Sequence, residues 1–341
     1  MLPEPRYGGE LVSTQSATTA GVPPRRILEH MPPLAALGPL IALLLACTFF
    51  AAQSDRFLTG QNFSLILQQV MVVGVVAIGQ TLVILTAGID LSCGMLMALG
   101  SIVMTKFAVD LGMDPYLAIV CGLLASTLFG FLNGSLITFI RLPAFIVTLG
   151  TLNIAFAITQ IYSQAQTVSG LPEPLLFFGN TFRIGGTAVT YGTVLMLLLY
   201  LGVWYVLRST APGRHIYAMG NNPEATRLMG IHTRMLLLSV YTVAGLIYGL
   251  AALLLVSRTG VGDPNAGQTD NLDSITAVVL GGTSLFGGRG MILGTLIGAL
   301  IVGVFRNGLT LMGVASVYQI LITGILVILA VATDRLSHRK G

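Results

Sequence analysis

The chain has 341 residues, of which 54% are hydrophobic and only 9% are charged. Because about a quarter of the residues of a soluble domain are charged, this composition excludes a water-covered surface and predicts an all-α protein embedded in membrane lipid. The net charge of +4 is carried by two lysines and by arginines that form no runs, so nucleic-acid binding is not expected.

Residues 1–33 precede the first apolar run and are polar, with many proline, serine and threonine residues. This composition predicts a disordered cytoplasmic tail. It does not fit a secretory signal peptide, because the apolar run begins late and no small-residue cleavage site follows it closely. A second cytoplasmic tail is predicted at 336–341, which leaves 34–335 as the transmembrane domain.

Ten apolar runs fill that domain and predict about ten transmembrane helices, since a span needs about 20 apolar residues. The run at 273–287 is short and interrupted by glycine, so some spans are expected to be broken. The runs lie at roughly 34–52, 63–87, 92–109, 116–140, 143–162, 187–207, 235–257, 273–287, 290–305 and 313–333.

Basic residues near the span ends indicate which side of the membrane faces the cytoplasm. If the N-terminus is inside and the spans alternate, twelve of the 17 lysines and arginines lie on the cytoplasmic side. This bias predicts that both termini are cytoplasmic, together with the loop at 208–234.

An internal two-fold repeat is suggested by F-L-N-G at 131–134 and F-R-N-G at 305–308, which both leave an apolar run. Broken helices at matching positions of two halves are typical of transporters. In a chain with 41 glycines the match can also arise by chance, so both interpretations stay open.

Side-chain amides fall on one face of two predicted spans. Gln69 and Gln80 are eleven residues apart, which is three helical turns, so they share a face of the second span. Amides beside an aromatic ring suit a neutral polyhydroxylated ligand, because the amides bond its hydroxyls and the ring covers its apolar face. The alternative is that the amides only join helices. The corresponding residues of the fifth span are Asn153, Phe156, Gln160 and Gln164.

Asp90 is the only carboxylate between Asp55 and Asp110. A charge at membrane depth costs about 2.5–3.5 kcal/mol on insertion scales, so it indicates a role in gating or coupling. The alternative is structural, with Gly88 breaking one helix and Asp90 or Ser92 capping the next. The alternation of spans puts this turn toward the cytoplasmic side.

The loop at 208–234 carries four arginines but a single acid, Glu224. It contains the signals of a helix about two turns long, because Asn222 can cap its start, Pro223 fits its first turn and Gly230 supplies the stop. Glu224 meets the positive end of the helix dipole. A connector between spans needs no such helix, whereas a segment that docks on a partner does. The loop therefore predicts a protein driven by something bound at its cytoplasmic side.

The predicted outer loop at 258–272 holds Asp263 and Asp270, and Asp273 follows it. Such charges could pair with a docking partner, but each of them taken singly is interpreted as an ordinary solvated residue. The same two interpretations apply to the charges of the outer loop at 163–186.

The glycine-rich stretch at 281–290 is not a phosphate-binding loop, because no lysine follows its glycines. It is predicted to make a tight cytoplasmic turn with Arg289 facing the interface. The three cysteines and four histidines show no metal-ligand spacing, and the spans hold no catalytic set. The chain is therefore predicted to use no cofactor and to be no enzyme, so any ATP would bind a separate subunit.

Four ordered motifs resemble the ribose/xylose/arabinose-type permease family of bacterial ATP-binding-cassette importers, which also includes autoinducer-2 permeases. The resemblance covers about residues 35 to 335. Within it, E-A-T-R-L-M-G at 224–230 is similar to the E-A-A-x-x-x-G core of the coupling loop, with Thr226 in place of the third-position alanine. The motifs are GQTLVILTAGIDLS (79–92), LPAFIVTLGT (142–151), AMGNNPEATRLMGI (218–231) and AVVLGGTSLFGGRG (277–290).

The resemblance implies a multi-pass permease of the bacterial inner membrane that translocates a sugar. It would pair with a second permease subunit, identical or homologous, and with two ATP-binding subunits. The sugar would come from a periplasmic binding protein docked on the outer loops. By the same resemblance, Glu224, Arg227 and Gly230 would contact the ATP-binding subunit, with Arg214 and Asn222 supporting that helix.

An ion-coupled secondary transporter of a neutral solute is the alternative function. Such a protein needs carboxylates near the bilayer midplane to bind the coupling ion, and only Asp90 is a candidate. The alternative also does not explain the predicted helix at 223–229.

Overall fold

The computed structural model of this protein describes residues 34–338. Over that range the chain forms thirteen α-helices, a short π-helical segment, one 3-10 turn and one hairpin. The predicted tail at 1–33 and the last residues of the tail at 336–341 lie outside the described residues. The elements are α1 (Leu34–Gln53), α2 (Gly60–Leu85), α3 (Cys93–Val109), α4 (Pro115–Ser135), the π-helical segment (Leu136–Ile140), α5 (Ala144–Ser163), α6 (Glu173–Leu176), the 3-10 turn (Phe177–Gly179), β1 (Thr181–Ile184), β2 (Thr187–Thr190), α7 (Tyr191–Ser209), α8 (Ala211–Asn221), α9 (Pro223–Leu228), α10 (Thr233–Thr259), α11 (Asp270–Leu280), α12 (Ile292–Leu311) and α13 (Ser316–His338).

Each of the ten predicted apolar runs overlaps a helix. Among the described residues, six helices have the length and hydropathy needed to cross a membrane. A multi-pass membrane protein is thus supported, whereas the count of about ten spans is not confirmed. The six are Gly60–Leu85, Pro115–Ile140, Ala144–Ser163, Tyr191–Ser209, Thr233–Thr259 and Ile292–Leu311.

The prediction of an all-α fold is wrong at one place, where β1 and β2 form an antiparallel hairpin. Residues 187–190, predicted as the start of the sixth span, are strand β2. The β-branched residues of T-F-R-I and T-A-V-T favour strands, and a Gly-Gly pair permits the tight turn between them. Gly185 has a φ of +59° in that turn. The sequence contains this hairpin pattern, but the long apolar run that follows it favours a helix over the same residues.

The core is built around α2 and α10. Every residue of α2 from Val70 to Leu85 is buried, and α10 packs against α2, α3 and α4. Small residues let these helices approach, as at Gly245, where a side chain would meet the carbonyl oxygen of Ser126. Both helices are therefore shielded from lipid over much of their length, which explains how they can carry buried polar groups.

The run predicted as a broken span, 273–287, contains the short helix α11, which ends at Leu280. This helix packs on α12 at very close range, because Gly298 leaves no side chain between the helices and lies against the carbonyl oxygen of Ala277. Gly298 therefore serves close packing between the two helices.

The N-termini of α3 and α11 meet inside the bundle. The Nδ2 atom of Asn271, in the first turn of α11, donates to the carbonyl oxygen of Leu91, just before α3, at 3.3 Å. Gly94 and Gly267 lie in backbone contact beside this bond. Helix N-termini carry partial positive charge, so this junction is a polar point within an otherwise apolar bundle.

The internal repeat is not confirmed. Asn133 of the first four-residue match donates to the Ser92 hydroxyl at 3.0 Å, whereas Asn307 of the second donates to the side-chain oxygen of Asn62 at 2.9 Å. Both amides are buried, but they bond to different parts of the bundle.

Candidate functional site

The predicted helix in the loop at 208–234 is confirmed as α9. Asn222 caps it, because its Oδ1 atom accepts from the Ala225 backbone N–H at 2.9 Å. Glu224 lies in its first turn and accepts from Arg227 Nη2 at 2.6 Å. This hydrogen bond and the Glu224 charge raise the pKa of Arg227. Gly230 follows the helix with a φ of +84°, a conformation that favours glycine.

Two apolar side chains at the end of α9 point away from the bundle. The exposed fractions are 77% for Leu228 and 67% for Met229. Sequence reasoning missed them because it considered only the capping and charged residues. Adjacent exposed apolar groups beside a charged pair are what a docking surface offers to a partner.

The loop also contains α8, which was not predicted. Thr210 caps it by accepting from the Gly213 backbone N–H at 3.4 Å. Arg214 lies on α8, where it is exposed and makes no side-chain hydrogen bond or ion pair with any described residue. No hydrogen bond or ion pair of the Arg214 side chain to α9 is observed among the described residues, so its expected support of that helix stays a prediction.

A joint of close backbone contacts connects α8 to the bundle. The N–H of Gly288 donates to the carbonyl oxygen of Leu85, at the end of α2, at 3.0 Å. Gly220, near the end of α8, lies against both of these residues. The Tyr217 hydroxyl donates to the Gly290 carbonyl oxygen at 3.0 Å, and burial raises the pKa of Tyr217, so this donor stays protonated at neutral pH.

The glycine-rich stretch 281–290 makes the tight turn that was predicted. Gly287 and Gly288 have φ values of +83° and +70°, and Arg289 is exposed. The turn joins α11 to α12 and contacts the ends of α2 and α8, so four helices meet at one point next to α9.

Asp90 is fully buried, and its carboxylate is used locally. The Oδ1 atom accepts from the Ser92 backbone N–H at 2.9 Å and from the Ser92 hydroxyl at 2.6 Å. Ser92 is the N-cap residue of α3, although its side chain makes no capping bond. Neither side chain caps α3 through a hydrogen bond to its first turn, so the capping interpretation is not observed in that form. Asp90 holds the turn at Ser92 instead, and its predicted gating role stays untested. Its Oδ2 atom has no hydrogen-bond partner among the described residues.

Four of the five predicted path residues surround one segment, residues 261–273. Asn153 and Phe156 line a cavity of 220 Å³ together with Gln268 and Asn271, at the junction of α3 and α11. Gln160 donates to the Asn265 side-chain oxygen at 2.9 Å. Gln69 lines two further cavities against the same segment.

Gln80 does not join this set. Its side chain is fully buried, lines none of the three cavities, and accepts from the Tyr248 hydroxyl at 3.4 Å. Gln69 and Gln80 do follow the predicted helical spacing along α2. However, α11 and α12 lie beside Gln69, whereas α10 lies beside Gln80. Gln80 therefore matches the alternative interpretation, an amide that joins two helices. Gln164 ends α5 in the left-handed region and is exposed.

The interpretation of Asp273 as a solvated residue is wrong. Its side chain is buried in the first turn of α11, and its Oδ2 atom accepts from Arg306 Nη1, in α12, at 3.2 Å. Arg306 lines both of the cavities that Gln69 lines, and Asp273 lines the smaller one; the two cavities measure about 330 and 460 Å³. A useful signal in the sequence was Arg306, an isolated cation at the end of an apolar run.

Comparisons with known proteins agree with the resemblance seen in the four motifs. Residues 62–331 match the family described as branched-chain amino acid transport system / permease component. The chain is 49% identical over 303 residues to a fructose import permease protein of Rhizobium meliloti, covering 87% of this chain and 84% of that protein. It is 40% identical over 301 residues to a ribose import permease protein of Bacillus subtilis (88% and 92%). It is 35% identical over 300 residues to a D-allose transport system permease protein of Escherichia coli (88% and 91%).

Proposed function

This chain belongs to the family of transport-system permease components that its residues 62–331 match, and we propose that it is the membrane-spanning subunit of an ATP-binding-cassette importer of a sugar. The observation that carries the proposal is the similarity to fructose, ribose and allose permeases over most of the chain. The cargo is a pentose, a hexose or a related polyol. The protein has a transport role and no enzymatic one.

The energy for transport comes from ATP hydrolysed on a separate subunit that docks on α9. Glu224, Arg227 and Gly230 form the docking helix, and Leu228 and Met229 add an apolar contact. The joint at Leu85, Gly220 and Gly288 then passes the movement of α9 to α2, α11 and α12. Supporting this assignment, α9 combines a cap, a charged pair and exposed apolar side chains in one short helix.

The sugar is delivered at the opposite end of the bundle. α10 starts beside α9 and, at 1.5 Å per residue, its 27 residues extend about 40 Å to Arg258, which lines one of the polar cavities. A periplasmic sugar-binding protein docks on the loops around these cavities. On this proposal α9 and both termini lie in the cytoplasm, which is supported by the distribution of basic residues, and the permease domain, 34–335, lies in the bacterial inner membrane.

A second permease subunit, identical or homologous, completes the assembly. Exposed apolar side chains cover large parts of the described helices, for example Ile146, Leu149 and Ile154 on α5. They fit contact with lipid and with that subunit, because neither requires polar side chains.

An ion-coupled secondary transporter is not favoured. Its coupling site would depend on Asp90, yet one oxygen of that carboxylate already holds the turn at Ser92. A secondary transporter would also have no ATP-binding subunit for α9 to contact.

Co-purification tests the proposal. The tagged chain is expressed with candidate ATP-binding subunits in parallel with Glu224→Lys, which reverses a charge of the docking helix. We expect a stable complex with one subunit pair that hydrolyses ATP and drives sugar uptake, and we expect the variant to lose that complex. Sugar uptake by the chain alone under an ion gradient would contradict the proposal.

A further inference from the structure

The ion pair between Asp273 and Arg306 lies beside two adjoining cavities, of which Arg306 lines both and Asp273 the smaller. The cavities share Gln69, Thr269 and Arg306 in their walls. Their volumes of about 330 and 460 Å³ fall within the range of roughly 300–1,000 Å³ that small-molecule sites occupy. Space for a small ligand is thus present beside Arg306.

The pair leaves much of its hydrogen-bonding capacity free. A guanidinium has five N–H donors, and one N–H of Arg306 is used by Asp273. The Arg306 side chain is 49% exposed, whereas that of Asp273 is 8% exposed, so the guanidinium is the part that faces the cavities. Arg306 therefore offers donors to a ligand without giving up its partner.

An unpartnered acceptor belongs to a residue that lines both cavities. The Oε1 atom of Gln69 is buried and has no hydrogen-bond partner among the described residues, although Gln69 lines both cavities. A buried amide oxygen without a partner costs about 1–3 kcal/mol. A ligand hydroxyl that donates to this oxygen would remove that cost.

The charges of the cavity walls select against an ionic ligand. Arg258 and Arg306 are offset by Asp270 and Asp273, with Asp263 adding one further carboxylate. The walls of the two cavities thus hold two arginines and three aspartates, which leaves no strong excess of either charge. A hydroxyl is both donor and acceptor, so a molecule with several hydroxyls satisfies both kinds of group at once.

One cavity also has an apolar wall. Leu272, Phe305 and Leu309 line the smaller cavity beside the ion pair. A monosaccharide presents C–H groups on one face and hydroxyls at its edge, so an apolar wall beside fixed donors and acceptors suits it better than it suits a small inorganic ion.

We propose that these two cavities hold one monosaccharide, with its hydroxyls bonded to Arg306, Asp273 and the side chain of Gln69. The inference rests on the proposed function, because it specifies where the transported sugar binds after the binding protein releases it. The site lies beside the Asn153 and Phe156 cavity, which shares Gln268 with the larger of the two cavities.

The test uses the complete transporter in proteoliposomes, with its ATP-binding subunits and its binding protein loaded with radiolabelled fructose or ribose. Sugar transported per ATP hydrolysed is measured for Gln69→Leu, which removes the buried acceptor and keeps a similar volume. The matched control is Gln68→Leu, the same change at the adjacent residue, which lines neither cavity. We expect a loss of about tenfold for Gln69→Leu, as for one or two lost hydrogen bonds, and wild-type transport for the control.

A charge exchange separates ligand binding from structural support. The double variant Asp273→Arg, Arg306→Asp can form the same ion pair with its partners reversed, so a purely structural pair would be rescued. We expect ATP hydrolysis and assembly to be retained but sugar transport to stay low. Wild-type transport by the exchanged pair, or by Gln69→Leu, would overturn the inference. A wild-type complex that transports no pentose, hexose or polyol would instead count against the proposed function.

Discussion

Replacing Gly220 by alanine tests whether the joint between α8 and the bundle transmits movement. The added methyl group would overlap the Leu85 carbonyl oxygen and approach the Gly288 nitrogen to 2.5 Å, so the two backbones must separate. Overpacking of this kind costs about 1–3 kcal/mol, and the strained Gly288–Leu85 hydrogen bond adds about 1 kcal/mol. Alanine regains about 1 kcal/mol of helix propensity.

A net cost of about 1–3 kcal/mol that falls on only one of two states of the joint shifts the equilibrium between them by roughly 5- to 150-fold. We therefore expect Gly220→Ala to assemble with the ATP-binding subunits but to transport at least about fivefold less sugar per ATP hydrolysed. The assay is uptake and ATP hydrolysis by the same reconstituted complex.

Gly202→Ala is the matched control, because Gly202 lies in the middle of α7 and an added methyl group would meet nothing within 4 Å. It should transport as the wild type does. If Gly220→Ala shows the same coupling and the same thermal stability as this control, the close contact at the joint has no part in transmission and the reasoning is refuted.

Glu224→Lys should abolish co-purification of the ATP-binding subunit, and Gly230→Pro should uncouple transport because proline cannot adopt a φ of +84°; normal uptake by either variant would remove the docking assignment of α9. Asp90→Asn keeps the oxygen that accepts from Ser92, so thermal unfolding and uptake should stay near wild type, whereas lost uptake at an unchanged Tm would assign the carboxylate to gating. Asn153→Leu and Gln160→Leu should lower uptake with the ATP-binding subunit still bound; a fall in thermal stability alone would mean that these amides only pack.

The docking helix shows what short-range information can specify. Its cap, its first-turn proline, its charged pair and its terminal glycine all lie between Asn222 and Gly230. Each acts on groups within four residues along the chain, so the sequence alone contained the complete set of interactions. The ten apolar runs were equally readable, since lipid contact depends on composition over one helix length.

Tertiary structure decided the parts that depend on residues far apart in the chain. Arg306 pairs with Asp273 across 33 positions, and Gly220 contacts Leu85 across more than a hundred. The sequence shows these residues but not which helix covers them, and for that reason it predicts a solvated Asp273. Gln69 and Gln80 are a second example, because the helical periodicity predicts both on one face of α2. Packing of α11 and α12 leaves Gln69 in a cavity wall, whereas packing of α10 buries Gln80 in a hydrogen bond between helices.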